Sequence, residues 1–155
     1  MKKVLFFIAF LMVMMSYAQN NLTASQWQED LKFLQETVHQ DYSFLFKKTT
    51  AKDFDAAVEK LHSEIPKLQE HEIVVGFARI VSMFKYGHTD ISFRHDPFTF
   101  SQLPFNLYHF NDGVYIQGTH KDYQNALGAK VVAVESIPIQ DALKAIYPVV
   151  PVENE

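Results

Sequence analysis

Cysteine is absent from all 155 residues. That excludes a small disulfide-stapled scaffold and leaves no thiol on which a lipid could be carried, so stability must come from an apolar core. An excess of positive charge is missing as well. Fourteen Lys and Arg stand against eighteen Asp and Glu, a formal net charge of −4, which disfavours nucleic acid and offers no basic stripe to an anionic lipid surface. There is no internal repeat and no low-complexity segment. The one long apolar run, Val4 to Met15, falls short of the roughly 20 residues that a membrane-spanning helix needs.

That run has a different use. Lys2 and Lys3 precede it, and Ser16-Tyr17-Ala18 supplies small residues at the −3 and −1 positions of a signal-peptidase site. The pattern predicts a secretory signal over residues 1–18, cleaved after Ala18, and hence a secreted or periplasmic protein with no stable membrane anchor. Taking 18 residues from 155 leaves 137, and losing the two lysines moves the formal charge from −4 to −6. Such a length suits one domain, or one domain with part of another. Fourteen Phe and seven Tyr point to a well-filled core or a docking surface.

Three amphipathic helices are expected first. Thr23 with Gln26 three residues on forms a capping box, and Leu22 can staple onto Trp27 across it. Trp27, Leu31, Leu34 and Val38 then make one apolar stripe, which fades near Asp41. Tyr42 to Phe46 reads as an apolar connector. A second start at Thr50, with Asp53 behind it, leads into Phe54, Ala57, Val58, Leu61 and Ile65, and Pro66 ends the helix. The third carries Ile73, Val74, Phe77, Ile80, Val81 and Phe84, with Glu70 and Glu72 near its start and Lys85 at its end, as the helix dipole favours. Gly87 is placed for a left-handed C-terminal cap.

From His88 the period changes from 3.6 to 2. His88, Asp90, Ser92 and Arg94 would share one face of a strand, and Thr89, Ile91, Phe93 and His95 the other. Leu103 to Phe110 and Val114 to Thr119 read as two strands joined at Asn111-Asp112-Gly113, a strong hairpin signal. A strand over Lys130 to Val134, a tight turn at Glu135-Ser136-Ile137-Pro138 and a short helix from Gln140 to Ile146 follow. The fold class is α+β: a helical unit over residues 19–87, then a β-rich region over 88–155.

The order of these parts resembles a family. Trp27-Gln28-Glu29-Asp30-Leu31, a helix ending in Ile65-Pro66, and a third running into Gly87-His88-Thr89 are similar to secreted members of serine-peptidase family forty-one, the tricorn and C-terminal processing protease group. Leu103-Pro104-Phe105, Asp112-Gly113, Leu127-Gly128-Ala129-Lys130-Val131-Val132-Ala133-Val134 with Ile137-Pro138-Ile139, and Pro151-x-Glu153-Asn154-Glu155 extend the likeness over nearly all of the mature chain. The resemblance implies that residues 88–155 are a PDZ-like region, incomplete here. It also implies that a crotonase-like α/β domain, C-terminal to everything present, carries the serine nucleophile. His88 would then be the general base, with Thr89 beside it. The commoner family pattern has an Asp where this chain has Tyr86, which leaves Asp90 as the carboxylate able to orient the ring. Nothing in residues 91–155 resembles a nucleophile elbow or a Ser–Lys pair.

The implied function is the N-terminal part of an exported serine peptidase, a short or truncated form inactive alone. Its partners would be a peptide or protein substrate and the missing catalytic domain. The alternative is a non-catalytic periplasmic peptide-binding module that uses the Lys130–Val134 edge. From the residues themselves, an imidazole at a joint between rigid elements suits a base for a hydroxyl, although His88 could equally cap the third helix. His88, Asp90, His95 and Asp96 invite a metal, but on a strand His95 points away from the first two. His71-Glu72-Ile73-Val74-Val75 lacks the second histidine of a helical zinc motif. No metal and no cofactor is expected. His39, His62, His109 and His120 are expected to be solvated, and Pro97 to Ser101 to pack or to form a docking edge.

Overall fold

A computed structural model describes residues 22–93, 100 and 102–153. The expected signal over residues 1–18, residues 19–21, residues 94–99 with His95 and Asp96, Ser101, Asn154 and Glu155 lie outside them. The chain is α+β, a three-helix unit followed by a small antiparallel sheet and a short helix.

Helix α1 (Ala24–Asp41) starts on the expected capping box: Thr23 Oγ1 accepts from Gln26 N at 3.3 Å, and Thr23 N donates to Gln26 Oε1 at 2.9 Å. Two of the orphan donors of the first turn are thereby satisfied. Helix α2 (Ala51–Glu64) begins the same way, with Thr50 Oγ1 accepting from Asp53 N at 3.0 Å. Ile65-Pro66-Lys67 closes it as a 3₁₀ turn, since a proline cannot continue the ladder. Helix α3 (Glu70–Ser82) opens with Gln69 N donating to Glu72 Oε2 at 2.8 Å. Glu70 also accepts from Leu22 N at 3.1 Å, which ties the entry of α1 to the start of α3.

The stripes meet as their spacing requires. Phe54, Phe84, Leu31 and Ile65 are fully buried, and Trp27, Val58, Leu61, Ile73 and Ile80 close the cluster around them. Ring pairs run through its centre, Phe54 with Phe84 at 5.3 Å and edge-on to Phe46 at 5.6 Å, separations at which aromatic pairs add to area burial. Residues 43–47 form a 3₁₀ turn that sinks Leu45 and leaves Phe44 exposed.

Strands β1 (Phe105–Phe110) and β2 (Gly113–Thr119) form the hairpin, with Phe110 opposite Gly113 across the turn Asn111-Asp112. Gly113 has φ +149°, a region open to glycine and costly for other residues. The turn is tied down by Lys130 Nζ donating to Asp112 O at 2.6 Å and by Tyr115 OH donating to Asp112 Oδ2 at 2.8 Å. Strand β3 (Lys130–Val131) adds to β2, while β4 (Ala133–Val134) and β5 (Ile137–Pro138) make a separate ribbon leading into helix α4 (Ile139–Ile146). Tyr147 to Val149 form a further 3₁₀ turn, and the chain then returns to the C-terminal end of α3, where residues 147–153 line a cavity with it.

Three expectations are corrected. The alternating stretch from His88 forms no strand over the described residues 88–93: Thr89 N donates to Tyr86 O at 2.9 Å in a turn, and among the described residues no neighbouring strand completes a ladder. The left-handed residue after α3 is Lys85, with φ +53°, and not Gly87. Finally, Lys130 to Val134 is not one strand. Val132 interrupts it, its carbonyl accepting from Ile139 N at 3.0 Å, and the halves pair in different sheets.

Candidate functional site

The end of α3 sets the geometry around His88. Lys85 turns the chain out of the helix in the left-handed conformation, and Lys48 reaches over to donate from Nζ to Lys85 O at 2.8 Å. The same ammonium lies 4.4 Å from the centroid of the Tyr86 ring, a cation–π distance. It also faces Glu153 Oε1 at 4.0 Å, and Glu153 Oε2 accepts from Gly87 N at 3.4 Å. One lysine thus holds the carbonyl, the ring and the carboxylate that define the loop. A Cβ on Gly87 would stand 3.2 Å from Glu153 Oε2, so the glycine is present for close approach rather than for a positive φ.

On this frame a groove of about 340 Å³ opens between the 43–47 turn and the loop, walled by Tyr42, Phe44, Leu45, Tyr86, Gly87, His88, Thr89 and Glu153. His88 is exposed there and Thr89 half-buried. The ring is not sealed in the bundle, so a hydroxyl has an open approach to it. The carbonyls at the end of α3 are taken by backbone donors, Phe84 N to Val81 O at 3.2 Å and Lys85 N to Ser82 O at 3.1 Å. Among the described residues His88 makes no capping bond to that helix.

The structure places His88 and Thr89 on one wall and leaves Asp90 out of it. Asp90 is exposed, and no hydrogen bond joins it to His88. The carboxylate that does share the groove is Glu153, from the far end of the chain. Sequence reasoning placed Glu153 only in a terminal motif and gave no role to Lys48; no local spacing links either to His88. Among the described residues no three His, Asp or Glu side chains converge as metal ligands, and no helix is long and apolar enough to cross a membrane.

A second imidazole, His39, is exposed as expected but is also engaged in a side-chain contact. His39 Nε2 lies 2.8 Å from Asp55 Oδ1, which also accepts from Gln35 Nε2 at 2.7 Å, while the ring of His39 packs 5.0 Å from that of Phe46. Burial pushes the Asp55 carboxyl up. Hydrogen bonds from Gln35 and His39, with the charge of His39, outweigh that and hold it below its ordinary value. The pair fastens α1 to α2.

Comparison with known protein families, with curated proteins and with solved structures finds nothing that matches this chain.

Proposed function

We propose that this chain is the N-terminal platform of an exported serine peptidase, with His88 as the general base for a serine supplied by a catalytic domain not present here. The observation that carries the reading is the open, apolar-walled groove in which the His88 ring is exposed and which contains no serine of its own. A base must lie within hydrogen-bond reach of the proton it takes, and a solvent-open ring beside a docking groove can be reached by an incoming hydroxyl. Glu153 lines the same groove and supplies a carboxylate able to steady an imidazolium there. Partners of this platform are the peptide substrate and the catalytic domain.

The test has two arms. The purified chain should leave casein and chromogenic peptides uncut, and turnover blocked by a fluorophosphonate overturns the assignment of the nucleophile to another domain. In the peptidase that includes the catalytic domain, His88→Ala should lower kcat at least about a thousandfold, as loss of a base does. An unchanged kcat removes His88 from the mechanism.

A peptide-binding module is the second reading, favoured by β1, which is an edge strand among the described residues and exposes Leu107, Tyr108 and Phe110. Its mark would be saturable shifts of β1 and β3 backbone amides on titration with extended peptides. No shift at high peptide concentration excludes it.

A further inference from the structure

Apart from any role for His88, we propose that the cavity between the end of α3 and the returning C-terminal segment binds a small amphipathic carboxylate, an unbranched apolar tail ending in –COO⁻. The cavity holds about 450 Å³, within the range of small-molecule sites. Tyr147, Pro148, Val150 and Val152 line it from the returning segment, and Lys48, Arg79 and Lys85 supply cations from the rest of the wall. Among the described residues the one carboxylate in the lining, Glu153, is already held by Lys48 and by Gly87 N. Arg79 has no such partner: among the described residues it forms no ion pair.

A guanidinium in a cavity that is also lined by apolar side chains selects a particular head group. Its planar fork matches a carboxylate in two parallel hydrogen bonds, and one unpaired cation balances one negative charge. Ser82 adds an independent sign. It lines the cavity, is 8 % exposed, and its hydroxyl finds no hydrogen-bond partner among the described residues. Buried hydroxyls are seldom left so.

The experiment is calorimetric titration of the full chain with octanoate, alongside octanol and octyl phosphate, at low ionic strength. Octanoate should bind saturably with one site, and octanol at least roughly tenfold more weakly, as expected for loss of a charge-assisted pair. Arg79→Gln should weaken octanoate about tenfold while leaving octanol unmoved, and Val150→Asp should abolish binding of both. Arg79 and Val150 are exposed, so neither variant is expected to unfold, and circular dichroism checks this. Lys144→Gln, on α4 outside the lining, should bind as the parent does. The proposal is overturned by any of four results: no saturable heat, octanol binding as well as octanoate, octyl phosphate binding more tightly, or equal losses in the Arg79 and Lys144 variants.

Discussion

Asp55 is the shared acceptor of Gln35 and His39 across two helices, and its carboxyl is stabilised in the charged form. The sign of the resulting pH dependence follows from linkage. A carboxyl whose folded value lies below its ordinary 3.8 contributes stability that is whole above that value and is lost as pH falls through the depressed one. The side chain is 41 % exposed and its partner 39 %, so solvent screens the pair and its contribution stays below about 1 kcal/mol. Asp55→Asn should therefore lower the urea midpoint slightly at neutral pH and flatten the acid limb below about pH 4, where parent and variant converge. A variant that loses as much stability at about pH 3 as at pH 7 contradicts this account.

Among the elements, the hairpin depends most on a single residue. At Gly113 two demands coincide: φ is +149°, and a Cβ would lie 2.5 Å from Lys130 Cε, the stem of the side chain that ties the turn to β3. Gly113→Ala should cost about 1–2 kcal/mol and break the Lys130–Asp112 contact, seen as altered Asp112 and Tyr115 resonances. Unchanged stability would mean that the turn relaxes freely. The turn was legible in advance for the same reason that the helix starts were, because Thr23 with Gln26, Thr50 with Asp53 and Asn111-Asp112-Gly113 act over three residues. The stripes around Phe54 and Phe84 were legible through their period. Residues 88–93 were not, since alternation makes a strand only when a second strand accepts it. Lys85 takes the left-handed place expected of Gly87 beside a lysine 37 positions away, and Glu153 reaches Gly87 across 66. Half of the candidate site is of this long-range kind. His88 and Thr89 stood out in the sequence, whereas Lys48 and Glu153 join them only through the fold.

At the scale of the molecule, the apolar core is unevenly shared. Every buried apolar side chain among the described residues lies between Trp27 and Phe84 except Val114, while Leu107, Tyr108, Phe110, Val132, Ile146 and Tyr147 remain exposed. Helix α4 buries none of its residues. Protection against local opening follows buried contacts, so the two regions should open with different free energies. Amides of α3 should exchange only through global unfolding, and amides of β1 and β2 through a cheaper local event. Phe54→Ala separates the two. Removing a fully buried ring at the junction of α2, α3 and the 43–47 turn should lower the protection of α3 amides by about 3–5 kcal/mol. The hairpin amides, already exchanging from their own opening, should keep their rates until the falling global stability drops below that level. Native-state hydrogen exchange over increasing urea measures both isotherms in one sample. If the hairpin and α3 lose protection together from the first increment, the sheet belongs to the same cooperative unit as the helices. The exposed side chains of β1 and α4 would then have to be accounted for within that unit.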